Sequence, residues 1–268
     1  MRLLTHVSAR ALLLSALSGG AALCALAGWV AGASERFEAQ DPNREFRRLA
    51  MQLADQRLAE AEGTQAVQEK ALGILDAMVL EALNSSTQPD LEVLNQHLAT
   101  LLTQQPPVGE GYRVLRLGGS PTVYSLVANF GLAGPSAVRL YTAQGRYALA
   151  GRIDRFAQKD FFDEYLELVP LSAPVVLFVT VAGRTDDLQT GVYTAWQFDG
   201  QRLKSVWSSD LLQQSSYEAG PDGFRLTYCL QTDEDNPRAC REMLRDRYVW
   251  DGGAWKRAEE TPVPLPKR

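Results

Sequence analysis

VYTAWQFDG, residues Val192–Gly200, contains the clearest strand and turn signals of this chain. Alternate side chains of this stretch fall into two sets, one with Val192, Thr194, Trp196 and Phe198 and one with Tyr193, Ala195 and Gln197. Because successive side chains of a strand point to opposite faces, this alternation predicts a half-buried β-strand. The Asp-Gly pair that follows is a strong signal for a hairpin turn.

Similar units occur on both sides of this stretch. Runs rich in β-branched and aromatic residues begin at Ser125, Leu177 and Phe224, and each is followed by a loop, a strand, a glycine turn and another strand. The turns are Gln144-Gly145, Asp199-Gly200 and Asp251-Gly252, about 55 and 52 residues apart. This repeat aligns Trp196 with Trp250, both before Asp-Gly turns. Since propellers close with four to eight blades, three units predict an antiparallel sandwich or an open, partial propeller-like stack of sheets.

The β-like part extends over residues 112–258. Short runs of Val, Tyr, Phe, Trp and Thr between glycine turns predict ten strands in it. They are expected at residues 121–129, 138–142, 146–153, 165–169, 175–181, 192–198, 202–207, 224–230, 245–250 and 254–257.

Residues 41–105 have a different period and predict helices. The first helix begins near Asp41 with Pro42 in its first turn, and its apolar residues Phe46, Leu49, Ala50 and Leu53 follow helical spacing. Gly63 and Thr64 predict a stop and a new N-cap, and Asn84 to Pro89 ends the second helix. A third helix carries apolar residues at Leu91, Leu94, Leu98, Leu101 and Leu102. The chain is therefore predicted to be α+β, with a helical hairpin or three-helix unit first, unless the first helix stands apart as a stalk.

The N-terminus resembles an export signal in its charge pattern. Arg2 and Arg10 precede the uncharged run Ala11–Ala33, which ends in small residues. The run is longer than the core of a typical cleaved signal and approaches the roughly 20 residues of a membrane span. Residues 1–33 are therefore expected to be a signal peptide or a signal anchor, and the body is expected to be periplasmic or extracellular. A lipid-modified Cys24 is disfavoured because Leu23 precedes it.

Composition restricts the class of partner. Without Arg2 and Arg10 the chain carries 25 basic residues (27 less 2) against 32 acidic ones. A net negative charge argues against a nucleic-acid partner, because such binding depends on Lys and Arg at phosphates. The expected partner is a protein or a glycan, with a possible membrane tether through residues 11–33.

Cys229 and Cys240 remain once the signal is set aside. In an oxidising compartment an isolated pair this close in sequence predicts a disulfide. Zinc or redox chemistry is disfavoured because the spacing is not Cys-x-x-Cys and no histidine lies nearby.

Catalytic motifs are weak in this sequence. The histidines are His6, in the signal, and His97, predicted to be a surface or boundary residue, so histidine-based triads lack their parts. Carboxylates that could serve a glycosidase cluster in one segment at Asp160, Asp163, Glu164 and Glu167. Tryptophans that could stack on sugars are Trp196, Trp207, Trp250 and Trp255, although aromatics at alternating strand positions more often pack in a core. Acidic turns at Asp186-Asp187 and 233–236 lack the alternating ligands and glycine of a calcium loop.

The proline-containing tail, residues 259–268, is predicted to be disordered. No catalytic, cofactor-binding or metal-binding residues are assigned. The leading hypothesis is an exported, non-catalytic binding or interaction module. The alternative is a carboxylate-dependent glycan hydrolase.

Overall fold

Helices come first and strands follow in this chain. The computed structural model describes residues 41–54, 63–101, 111–130, 136–155, 164–171, 176–184, 190–220, 222–233, 236 and 239–265. The helices of this part are α1 (Pro42–Ala54), α2 (Thr64–Ser85) and α3 (Leu91–Leu101). The strands are β1 (Tyr112–Gly118), β2 (Val123–Asn129), β3 (Ser136–Gln144), β4 (Arg146–Arg155), β5 (Glu164–Leu171), β6 (Val176–Arg184), β7 (Gly191–Phe198), β8 (Leu203–Ser208), β9 (Gln213–Gly220), β10 (Gly223–Thr232), β11 (Cys240–Trp250) and β12 (Trp255–Val263).

The strands form three open sheets of four consecutive antiparallel strands. Sheet A has the order β1-β2-β3-β4, sheet B the order β5-β6-β7-β8, and sheet C the order β9-β10-β11-β12. The glycine turns named above join the third strand to the fourth in every sheet, and the three runs at Ser125, Leu177 and Phe224 lie in the second strands. The α+β class and the three-unit repeat are confirmed, and the sheets remain open rather than closing into a barrel.

Three hydrophobic cores arrange these elements in layers. The first core joins the helices to one face of sheet A, through residues such as Leu75 and Tyr141. The second lies between sheets A and B, and the third between sheets B and C. The order of layers is therefore helices, sheet A, sheet B, sheet C.

An aromatic pair recurs in each sheet, between the second and third strands. The cross-strand partners are Tyr124 with Tyr141, Phe178 with Trp196, and Phe224 with Tyr248. The last two pairs stack, with ring centroids 6.5 Å and 5.0 Å apart. Each third-strand aromatic lies four residues before the turn glycine and faces the preceding layer.

This register corrects the alignment of the repeat. Phe198 pairs with Leu203 across one turn and Trp250 pairs with Trp255 across the other, so the equivalent of Trp250 is Phe198. The equivalent of Trp196 is Tyr248. The predicted equivalence of Trp196 and Trp250 is wrong by two residues, because it matched like residues rather than distance from the turn.

Two strands and part of the tail were not expected. The list of predicted strands omits β1 and β9. The prediction of disorder from residue 259 is wrong for Glu259–Val263, which continue β12 and pair with β11. The exposed, charged side chains of this edge strand resemble a tail in sequence, whereas its backbone hydrogen bonds to β11 make it part of the sheet.

The helical layer belongs to the same fold. Phe46, Leu49 and Leu53 of α1 are buried in the first core, so α1 is not a stalk. Gly63, rather than Thr64, is the N-cap of α2 and adopts a left-handed conformation. In the described residues no helix is both long and apolar enough to span a membrane. The predicted signal, residues 1–33, lies outside the described residues.

Candidate functional site

A groove of about 550 Å³ opens between the end of α2 and the start of α3. One wall consists of Met78, Glu81, Ala82 and Ser85 of α2. The other consists of Asp90, which caps the N-terminus of α3, and of Val93, Leu94 and His97 in α3. Ser86, Gln88 and Pro89 of the connection between the two helices also line the groove. In both walls the residues follow the i, i+3, i+4, i+7 spacing of a single helix face, so each wall is about two turns long.

Apolar and acidic groups share this groove. Met78 and Ala82 are half-buried, Leu94 is buried, and Val93 is 61% exposed. The ionisable carboxylates that line it are Glu81 and Asp90, and its lining includes no lysine or arginine. An apolar floor with an acidic rim fits a ligand that is both apolar and cationic.

The start of α3 is fixed by its cap. The Asp90 carboxylate accepts hydrogen bonds from the backbone N–H groups of Glu92 and Val93, at 3.0 and 3.1 Å. This satisfies two of the orphan donors of the helix and sets the position of Val93 at the groove.

Two asparagine amides hold the groove helices against sheet A. Asn84 of α2 accepts from the N–H of Tyr147 at 2.8 Å and donates to its carbonyl at 3.1 Å. Asn95 of α3 accepts from the N–H of Val114 at 2.6 Å and donates to its carbonyl at 3.0 Å. Tyr147 and Val114 lie on β4 and β1, the two edge strands of sheet A. We call this pair the asparagine clamps.

A buried polar cluster lies between α2 and sheet A. The Tyr141 hydroxyl donates to Asp76 Oδ1 at 2.6 Å, and the Arg139 guanidinium, 3% exposed, lies 3.2 Å from Asp154 Oδ1. Burial raises the pKa of Asp76, while the hydrogen bond from Tyr141 and the charge of Arg139 act in the opposite direction. These groups couple the helices to sheet A.

A second polar cluster lies on the inner face of sheet C. Asp246, 1% exposed, accepts from the hydroxyls of Tyr228 and Tyr248 at 3.1 and 3.3 Å, and Arg257 Nη1 lies 3.5 Å from the same oxygen. Burial and the Asp246 carboxylate raise the pKa of Tyr248 to about 12. The contacts explain how a carboxylate is held between sheets B and C.

The structure brings together three of the four tryptophans proposed as a sugar-stacking face. Trp250 and Trp255 have ring centroids 5.3 Å apart, and Phe224 contacts both Trp255 and Trp207. These rings pack on one another in the core between sheets B and C. Trp196 packs against the core between sheets A and B, and its Nε1 donates to Thr180 Oγ1 at 2.8 Å.

Most of the other residues named from sequence cannot be placed, because they lie outside the described part of the chain. Asp160, Asp163 and the turn Asp186-Asp187 lie outside the described residues, as do the side chains of Glu164 and Glu167. His97 is exposed and lines the groove. Within the part of the chain that the structure describes, no group of acidic, histidine and cysteine side chains could hold a metal ion.

Cys229 and Cys240 are joined by a disulfide between β10 and β11. Their Cα atoms are 5.7 Å apart, within the limit of about 7 Å for such a bond. This is the pairing that the sequence predicts. A disulfide-bonded pair is compatible with an exported protein.

Comparison with protein-family models, curated proteins and solved structures finds no match for this chain. Sequence reasoning missed the groove because its two walls come from different helices. A signal was present, however, since Val93 interrupts the polar side of α3 with an apolar residue.

Proposed function

We propose that this protein is an exported, non-catalytic interaction module that binds a protein segment in the groove between α2 and α3. The observation that carries the proposal is the combination of an apolar floor, an exposed Val93 and an acidic rim at Glu81 and Asp90. A groove with an apolar floor can bind the apolar face of an amphipathic helix, whose anchoring side chains recur about once per helical turn. The partner segment is therefore an amphipathic helix with apolar anchors and basic flanks.

Two features support the proposal that the module is exported. The charge pattern of residues 1–33 is that of an export signal, and the disulfide Cys229–Cys240 is compatible with an oxidising compartment. We propose a periplasmic or extracellular location.

The alternative function, glycan hydrolysis by paired carboxylates, receives no support from the described residues. Asp76 and Asp154 are near enough to influence each other, but they flank the buried Arg139 at the interface of α2 and sheet A. Hydrolysis requires carboxylates that reach a substrate in a cleft.

Two synthetic helical peptides test the groove. Both carry the same Leu and Met face, and one has Arg flanks whereas the other has Glu flanks. Fluorescence anisotropy with the full chain should show micromolar binding of the Arg peptide and at least tenfold weaker binding of the Glu peptide, because Glu81 and Asp90 attract only the first.

Val93→Glu should weaken binding of the Arg peptide at least tenfold. Leu211→Glu is the matched control, since Leu211 is 56% exposed and lies outside the groove. Equal binding of both peptides, or full binding to the Val93→Glu variant, would overturn the proposal.

A further inference from the structure

The outer face of α1 has the chemistry that the groove lacks. Arg44, Arg47, Arg48 and Met51 are exposed at i, i+3, i+4 and i+7, and Met51 is 68% exposed. Arg48 forms an ion pair with Glu45, which Lys70 also contacts. This face, the α1 stripe, joins cationic groups to an exposed apolar side chain. Arg44 lies in the first turn, where a positive charge opposes the helix dipole, so it does not serve the stability of the helix.

The stripe and the groove also agree in length. At a rise of 1.5 Å per residue, the seven steps from Arg44 to Met51 cover about 10 Å. Each wall of the groove, from Met78 to Ser85 and from Asp90 to His97, covers the same seven steps. A helix with this stripe would place Met51 on the apolar floor and its arginines at Glu81 and Asp90.

The α1 stripe cannot fill the groove of its own chain. The inner face of α1 is buried in the first core, and the Glu45–Lys70 contact holds α1 beside the N-terminal part of α2. The groove lies at the C-terminal part of α2, beyond Met78. Occupation of the groove by α1 therefore requires a second molecule.

We infer that the groove binds the α1 stripe of a second copy of this chain. This deepens the proposed function and rests on it, because it names the partner of the same groove. The contact is heterologous, so in a pair one copy retains an unoccupied groove and the other retains an unoccupied stripe. Two helical turns bury less than a standard interface of about 1,600 Å², so the association is weak, with an expected Kd in the micromolar range.

Two variants separate the surfaces. Arg44→Glu with Arg47→Glu reverses the stripe and leaves the groove intact. Glu81→Arg with Val93→Arg reverses the groove and leaves both the stripe and the Asp90 cap intact. Sedimentation velocity of the full chain over a concentration series should show self-association of the wild type, and at least a tenfold weaker association of either variant alone.

Mixing the two variants gives the decisive result. The intact stripe of one should occupy the intact groove of the other, so the mixture should associate although neither variant does so alone. Arg146→Glu and Glu242→Arg, at exposed positions on β4 and β11, are charge-reversal controls outside both surfaces and should associate like the wild type.

A wild type that stays monomeric, variants that associate as the wild type does, or a mixture that fails to pair would overturn this inference. Circular dichroism of each variant shows whether it is folded. If the Arg peptide still binds the wild-type groove in such a case, the proposed function stands and only the identity of the partner is wrong. If the peptide also fails to bind, both fail.

Discussion

At Val114 and Tyr147 the outer strands of sheet A have no neighbouring strand, and an asparagine amide takes its place. Each amide satisfies one N–H and one carbonyl that would otherwise be left unpaired beneath the helices. An unsatisfied buried polar group costs about 1–3 kcal/mol. The free energy of the asparagine clamps is therefore comparable to a sizeable part of total stability, which is typically about 5–15 kcal/mol.

Asn95→Ala should accordingly lower the free energy of unfolding by about 1–3 kcal/mol, measured by urea denaturation. Asn84→Ala should have an effect of similar size. Gln96→Ala is the control, because Gln96 is an exposed neighbour whose side chain donates to the exposed Glu92. A loss no larger than that of the control would show that the amides do not stabilise the edges of the sheet.

Asp76 gives the protein a predictable pH dependence. Since burial raises its pKa above the ordinary value of 3.8, the native state retains the Asp76 proton to a higher pH than the unfolded state does. Its contribution to stability is therefore fully present below about pH 3.8 and is lost as the pH rises through the native pKa. Asp76→Asn should remove this dependence and leave the protein at least as stable at pH 7, since the amide oxygen can still accept from Tyr141.

Denaturation curves of wild type and Asp76→Asn between pH 3 and 7 measure this difference. Tyr141→Phe is the contrasting variant. It removes the hydrogen bond that lowers the pKa of Asp76, so stability should fall more steeply as the pH rises. Parallel pH profiles for the wild type and Asp76→Asn would contradict the assignment.

Among the elements, the hairpin of β10 and β11 depends on a covalent link. The disulfide Cys229–Cys240 closes a loop of about a dozen residues. Because this restricts the unfolded chain, it should stabilise the folded state by roughly 2–3 kcal/mol. Replacing both cysteines by alanine should lower the free energy of unfolding by about that amount, measured by urea denaturation under non-reducing conditions. A reducing agent should destabilise the wild type but not the double variant, and equal sensitivity of the two would contradict the prediction.

Most strands rich in apolar residues could be predicted from sequence, whereas a strand of mostly polar residues could not. β7 is a strand as its alternation predicts, but it is not half-buried, because Trp196 and Phe198 pack in the core between sheets A and B while Tyr193 and Ala195 pack in the core between sheets B and C. β9 consists mostly of polar, exposed residues, and it is a strand because β10 pairs with it. β1 alternates as well, with Tyr112 and Val114 buried and Arg113 exposed, so its pattern is that of a strand.

The candidate site could be predicted from sequence less well than the strands. The spacing of Leu94, Leu98 and Leu101 predicts the buried face of α3, and these residues are buried. Nothing local indicates that Met78 and Val93 approach each other, or that Asn84 and Asn95 meet strands 63 and 19 residues away. Such contacts depend on how the layers pack, so they become visible only in the folded chain.

In the molecule as a whole, the two ends of the stack are closed differently. The helices cover sheet A, while the outer face of sheet C is polar and carries Arg225 opposite Arg247. Each arginine has a distant acidic partner at 3.9 Å, Glu218 and Asp222 respectively. A polar terminal face of this kind prevents further stacking, as capping units do in repeat proteins.

Arg225→Leu with Arg247→Leu should therefore cause concentration-dependent association through sheet C, because it creates a contiguous apolar patch. Light scattering measures this association. Arg225→Gln with Arg247→Gln is the control, since it removes the charges but keeps the face polar. If the glutamine variant associates as strongly as the leucine variant, charge repulsion rather than polarity keeps this face unoccupied.

The asparagine clamps also allow the docking of the helices on sheet A to be followed by hydrogen exchange. Edge-strand amides usually exchange their hydrogens with solvent quickly, yet those of Val114 and Tyr147 donate to side chains of α3 and α2. Their exchange into deuterated water requires the helices to leave the sheet. The two amides should therefore exchange at a common slow rate that reports how often the helical layer opens, which is the motion by which the groove would be dismantled or rebuilt.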